Sequence, residues 1–275
     1  NLRTYASQLQ FGWDEHMAAL KTPDQYAEVA KYAVSQGYDA LKVDPIMVLR
    51  NDVPPFRHDV HQSFFGLMLA DEVRMAEERI AAMREAVGPD VDIICEIHSL
   101  LGTNAAMQLA RVLEPYNIFY YEEPVHPLNA KNFARIAANT SIPIATGERS
   151  YTRWGYRELM ENQSLAVVQP DLCLVGGITE GKKICDYANL YDATVQIHVC
   201  GAPVSKAAAL QIEAAIPNFI IHEHHTWALK PGIRELCIHD HQPTGGLYKV
   251  PDLPGIGQAL NDDVVKTYHA YTVKA

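Results

Sequence analysis

One pattern recurs along most of this chain and restricts its fold more than anything else: a short apolar run, a loop, then a segment with apolar residues at helical spacing. Runs that are apolar at nearly every position suit strands buried on both faces, and a helix after each strand lets the next one lie parallel to it. Strands are expected at 2–7, 40–43, 91–96, 118–121, 144–147, 165–168, 194–197 and 219–221. Helices are expected from Thr22, a cap followed by Pro23, to the stop at Gly37, then at 69–87, 103–113, 129–139, 179–191 and 205–215. An open doubly wound sheet shares this alternation, but eight strands favour a closed (β/α)8-type TIM barrel, an α/β fold that typically takes about 250 residues. Residues 1–223 are assigned to the barrel and 224–275 to a Gly/Pro-rich tail that must pack on it. The stretch 44–68, with Pro54-Pro55, His58 and His61, exceeds an ordinary βα connection and is expected to form a lid or specificity loop.

Charge narrows the partners. With 23 Lys and Arg against 33 Asp and Glu the net charge is −10, and no basic cluster interleaved with aromatics could follow a phosphate backbone, so nucleic acid is excluded. No apolar stretch reaches the roughly 18 to 20 residues of a bilayer span, which argues against a membrane partner. The five cysteines are odd in number and form no Cys-x-x-Cys pair, as fits a reducing, cytoplasmic setting. Asn1 leads almost directly into the first strand, so an N-terminal part is expected to be missing.

In a parallel barrel the reactive groups stand at the C-terminal ends of the strands. Glu96, Glu122 and Glu148 end the third, fourth and fifth runs, and each is 26 positions from the next, so they occupy equivalent places in successive units. Three carboxylates converging on one rim repel unless a hard divalent cation neutralises them, and all-oxygen ligation selects Mg²⁺ or Mn²⁺. Glu123 follows Glu122 directly, so only one of the two faces the metal and the other is expected to pair with a base.

His98 lies two positions beyond Glu96, on the same side, and His198 ends the seventh run. Asp171, at the end of the sixth, could hold the His198 imidazole in one tautomer and raise its basicity. Glu223 could bond a substrate oxygen or a rim cation. Lys42 and Arg149 could contact a substrate carboxylate or be paired with protein carboxylates, and the residues alone leave both open. The run His222-Glu223-His224-His225 has no second ligand group at zinc spacing, and Gly176-Gly177 reads as a tight turn because no phosphate-loop pattern follows it.

Glu96-Ile97-His98, Tyr121-Glu122-Glu123-Pro124, Thr146-Gly147-Glu148-Arg149, Gln169-Pro170-Asp171 with Gly176-Gly177-Ile178-Thr179, His198 and Glu223 together resemble the enolase superfamily. The likeness is to its mandelate-racemase-like subgroup and, within it, to acid-sugar dehydratases related to the galactonate and mannonate enzymes. It implies Mg²⁺ on Glu96, Glu122 and Glu148, a His198–Asp171 dyad, and His98 as the second proton-transfer group. It further implies an N-terminal α+β capping domain, absent from this chain, and symmetric assembly into a homo-oligomer. Two residues depart from the family's pattern: Glu96 stands where an Asp is usual, and Lys42-Val43-Asp44 replaces a Lys-x-Lys pair, which weakens a racemase reading. The reaction so implied is loss of water from a small acid sugar, giving a 2-keto-3-deoxy acid. An epimerase or cycloisomerase acting on the same site, and a catalytically silent barrel that binds metal and sugar acid, are the alternatives.

Overall fold

The computed structural model of the chain describes residues 1–14, 17–47, 66–269 and 271. Positions 48–65, including Pro54, Pro55, His58 and His61 of the expected loop, lie outside the described residues. Eight strands form the ring: β1 (Leu2–Ser7), β2 (Ala40–Val43), β3 (Asp92–Glu96), β4 (Ile118–Glu122), β5 (Ile144–Thr146), β6 (Val167–Val168), β7 (Thr194–Val195) and β8 (His222–His225). Their hydrogen-bonded order is β7-β6-β5-β4-β3-β2-β1-β8, with every pairing along it parallel. The two ends meet ahead of β8, where Val195 N–H donates to the Asn218 carbonyl at 2.7 Å and Ile220 N–H to the Val195 carbonyl at 3.0 Å. The sheet thereby closes as the barrel that the alternation predicts.

Helices α1 (Pro23–Ser35), α2 (Ala70–Val87), α3 (Thr103–Leu113), α4 (Ala130–Ala137), α5 (Thr152–Glu161), α6 (Gly177–Asn189) and α7 (Pro203–Glu213) fill the crossovers. Their ends follow local chemistry. Thr22 accepts from Gln25 N–H in a capping box ahead of Pro23, and Asn129 accepts from Lys131 N–H at the start of α4. Helix α5 was not expected from the sequence, because Thr-Arg-Trp-Gly-Tyr-Arg-Glu is polar and carries a central glycine. β8 begins at the residue that follows the apolar run 219–221, for reasons that its partners make plain below.

Two apolar layers hold the barrel. Outside the ring, Leu41, Val43, Ile93, Cys95, Tyr121 and Val195 meet helix residues such as Ala30, Ile80, Leu109 and Ile184, all buried. Inside it, Tyr5, Ala40, Ile94, Tyr120, Ala145, Val167 and Ile221 form a separate apolar floor to which nearly every strand contributes one side chain. Side chains alternate along a strand, so two residues further on each strand points into the barrel above that floor. Those positions are Ser7, Lys42, Glu96, Glu122, Gly147, Gln169 and Glu223. The sequence therefore places its polar groups in one layer of the interior, directly over an apolar plug that excludes water from below.

Gly147 occupies its place in that layer because nothing larger fits: a Cβ there would stand 2.6 Å from the backbone of Gln169, whose N–H bonds the Thr146 carbonyl at 3.0 Å. Gly147→Ala is expected to cost about 1–3 kcal/mol by forcing these strands apart. A lowered urea midpoint at unchanged m-value would report it.

The tail continues through α8 (Pro231–Arg234), β9 (Leu247–Tyr248) and α9 (Asp262–Val265). β9 pairs antiparallel with β1, and Gln211 Nε2 on α7 donates to the Pro251 carbonyl at 2.9 Å, so the tail lies against the barrel wall. No helix among the described residues is long and apolar enough to cross a membrane.

Candidate metal and proton-transfer site

Glu96 and Glu122 are register partners at the ends of β3 and β4, and Glu148 lies two residues past β5. One ligand oxygen from each can be chosen so that all three lie within 4.8 Å of one another, and among the described residues no other group of His, Cys, Asp or Glu meets this test. Oxygen ligands stand about 2.1 Å from Mg²⁺, so three carboxylate oxygens this close together could hold one such cation. Glu122 Oε2 is buried without a hydrogen-bond partner. A buried carboxylate oxygen left unpaired is costly, and a cation bound there removes the cost. The residues thus fit a divalent metal.

Among Ser7, Lys42, Glu96, Glu122, Gly147, Gln169 and Glu223, Lys42 alone carries a positive charge. Its Nζ stands 2.8 Å from Glu122 Oε1, 2.9 Å from Glu223 Oε1 and 3.1 Å from Glu96 Oε2, which matches its three donors one to one. Burial acts against this ammonium, but the carboxylates overcome that and raise its pKa well above the usual value. Of the two options that the sequence leaves open for Lys42, the geometry shows the ion pairs. Glu223 also accepts from Ser7 Oγ at 2.7 Å and from Val199 N–H at 2.9 Å, so both its oxygens have protein partners.

The electrostatics of the triad are uneven. Burial, then the charge of Glu96, pushes Glu122 well above the ordinary carboxylate range, and burial also raises Glu148. Glu96 is lowered despite its burial because His98 and Lys42 outweigh it.

Each histidine is held by its own carboxylate. His98 Nδ1 lies 2.8 Å from Asp44 Oδ2 and its Nε2 3.3 Å from Glu96 Oε1. His198 Nδ1 lies 2.8 Å from Asp171 Oδ2 and its Nε2 3.2 Å from Glu148 Oε2. Burial resists both imidazolium ions. Glu96 and Asp44 nonetheless raise His98 to about 9, and Glu148 and Asp171 raise His198 to about 10. β3 and β7 are four steps apart in the ring of eight, so the imidazoles approach the triad from opposite sides.

Arg149 reaches the protein rather than open space: its Nε is 2.7 Å from Glu123 Oε2 and its Nη2 3.1 Å from Glu148 Oε1. Glu123, turned away from the triad, has the basic partner expected for it and accepts as well from Ser99 Oγ and Thr146 Oγ1. The histidines around Glu223 face separate neighbours: His222 Nδ1 is 2.6 Å from Glu213 Oε2, His224 Nδ1 2.6 Å from Tyr248 Oη, and His225 Nδ1 accepts from Trp227 N–H. Those partners are what allow so polar a run to form a buried strand. Sequence reasoning missed Gln8, Gln10 and the part of Asp44. Gln8 Nε2 is 2.5 Å from Glu96 Oε2 and 3.1 Å from His98 Nε2, and an uncharged amide at the end of β1 gives no signal of such a role without the fold.

Residues 25–264 match the enolase C-terminal domain-like family. A D-gluconate dehydratase of Thermoproteus tenax is 32% identical over 94% of this chain and 48% of its own length, and a D-galactonate dehydratase of Variovorax paradoxus is 39% identical over 70% and 51%. The chain thus spans about half the length of these curated relatives. Among solved structures, a member of the enolase superfamily from Salmonella Typhimurium superposes with a TM-score of 0.94 at 50% identity, covering 99% of this chain and 69% of that one. A second Salmonella Typhimurium structure, provisionally described as a dehydratase, reaches 64% identity and a TM-score of 0.95 over 98% and 67%. By the matched family and by the ring of strands that carries the triad, this chain belongs to the enolase superfamily, in its C-terminal barrel domain.

Proposed function

We propose that the protein is a lyase that removes water from a small sugar acid, with Mg²⁺ as its cation and Mn²⁺ as a substitute. The observation that carries this reading is the opposed pair of imidazoles, each fixed at Nδ1 by a carboxylate and each turning Nε2 to one glutamate of the triad, His98 to Glu96 and His198 to Glu148. Simple ligation of a metal needs neither histidine, whereas elimination needs a base for one carbon and an acid for its neighbour. The dehydratase relatives support the choice among reactions that begin with the same proton.

Removing a proton next to a carboxylate places a second negative charge on the substrate, and a divalent cation on Glu96, Glu122 and Glu148 supplies the charge that offsets it. With a divalent cation held by Glu148, that carboxylate would no longer favour the His198 imidazolium, and the neutral ring would take the C2 proton on Nε2 while Asp171 keeps it oriented. His98, on the far side, gives a proton to the departing 3-hydroxyl. Lys42 keeps Glu96, Glu122 and Glu223 gathered in a dry layer, where their charge acts with little screening. Arg149 fixes Glu148 and Glu123 at the rim, within reach of a substrate carboxylate. The enol left after water departs becomes the 2-keto-3-deoxy acid.

The free state of all five cysteines supports a reducing, cytoplasmic setting, and we take the working assembly to be a homo-oligomer, since closed symmetric assemblies are the common case for soluble enzymes. Incubating the protein with Mg²⁺ and a panel of acid sugars tests the reaction. A product lighter by one water is expected; a product of unchanged mass in every active pairing would instead show an epimerase or cycloisomerase.

A further inference from the structure

Gln8 follows β1 in a left-handed conformation, φ 66° and ψ 43°, which a non-glycine residue holds only when its surroundings impose it. Its side chain is buried, at 4% exposure. What imposes the conformation is a closed circuit of hydrogen bonds. The Asp44 backbone N–H can only donate, and it donates to Gln10 Oε1 at 3.1 Å. Gln10 must then offer its amide nitrogen, which bonds Gln8 Oε1. That leaves the Gln8 amide nitrogen to face Glu96 Oε2 at 2.5 Å and His98 Nε2 at 3.1 Å. The circuit returns to its start through His98 Nδ1, 2.8 Å from Asp44 Oδ2. The alternative orientation of the Gln8 amide would set oxygen against the Glu96 carboxylate and nitrogen against the Gln10 amide nitrogen, so one backbone donor fixes the orientation of both amides, and the Gln8 amide bonds His98 Nε2 only while that nitrogen is unprotonated.

We propose that Gln8 is a positioning residue for the second half of the reaction: it fixes Glu96, whose other oxygen faces His98 Nε2 at 3.3 Å, and so sets where the acid stands relative to the cation-binding carboxylates. The inference rests on the dehydratase reading for its catalytic meaning. Among the described residues no hydrogen bond joins Gln8 to His198 or Asp171, so the base is oriented without it. Among the described residues no amide bonds the other imidazole at the corresponding nitrogen, and His198 Nε2 faces Glu148.

The test compares the full-length protein with Gln8→Met, which keeps the length and removes the donors. Two rates are measured with Mg²⁺ and an active acid sugar: exchange of the C2 hydrogen in D₂O, and formation of the dehydrated product. Exchange within threefold of the parent and dehydration at least tenfold slower supports the proposal. Equal loss of both rates, or loss of neither, overturns it. Gln10→Met, which leaves Gln8 in place but releases its carbonyl, is expected to shift the same ratio in the same direction by a smaller factor, and it serves if Gln8→Met fails to fold. A readout without metal or substrate keeps the inference separable from the function: in the metal-free protein the His98 Cε1–H proton resonance should move in Gln8→Met while that of His198 stays. If no acid sugar is turned over by the parent, the dehydratase reading fails, and the resonances still decide whether Gln8 holds His98; an unmoved His98 signal would overturn that hold.

Discussion

His198→Asn should abolish almost all exchange of the substrate C2 hydrogen, lowering it by about 10³-fold, within the range of about 10² to 10⁴ that a positioned base contributes. The argument is geometric. His198 Nε2 faces the triad from β7, and Asp171 holds the opposite nitrogen at 2.8 Å. Asparagine roughly preserves the volume and a hydrogen bond to Asp171 but cannot accept the proton. His98→Asn is the control: it should leave exchange largely intact and slow dehydration, because in the proposed reaction His98 acts only when the hydroxyl departs. Exchange followed by NMR in D₂O separates the two, and undiminished exchange in His198→Asn would remove that residue as the base.

The second large effect is on stability. In Lys42→Met the three carboxylates that share the ammonium lose their compensating charge in a fully buried layer. Removing one partner of a buried ion pair typically costs about 3–5 kcal/mol, chiefly because the other charge remains desolvated. Metal-free Lys42→Met should therefore unfold at markedly lower urea than the parent. A divalent cation restores positive charge at the same place, so saturating Mg²⁺ should stabilise this variant more than it stabilises the parent, where the ammonium already does part of the work. At 100 times Kd any such ligand adds about 2.7 kcal/mol to the state it binds. An unchanged unfolding midpoint in metal-free Lys42→Met would show that the carboxylates do not depend on the lysine.

Much of this arrangement was legible in the residues because two simple periodicities govern it. Strands of a parallel barrel are apolar on both faces, and their ends expose one residue per unit at a common level. That is why Glu96, Glu122 and Glu148 could be aligned from their spacing, and why His98, Asp171 and His198 fell beside them. What stayed hidden depends on contacts between distant segments. The apolar run 219–221 marks where an eighth strand is expected, but the strand is His222–His225, and Glu213, Ser7 and Tyr248, brought in from elsewhere, make so polar a strand possible. Helix α5 lacks a clear apolar stripe in sequence, although Tyr156, Leu159 and Met160 are buried on its inner face. Lys42 carried two readings until the fold placed three carboxylates around its nitrogen. Gln8 and Gln10 are uncharged, and their value lies wholly in hydrogen-bond direction, which no spacing rule conveys.

The central claim is that Glu96, Glu122 and Glu148 share one divalent ion. A crystal soaked in Mn²⁺ and measured for anomalous scattering tests it most directly. A single peak inside the barrel, with an oxygen of each glutamate at about 2.1 Å, is the expected result. Mn²⁺ scattering elsewhere, with Glu96 and Glu122 still held by Lys42, would contradict it.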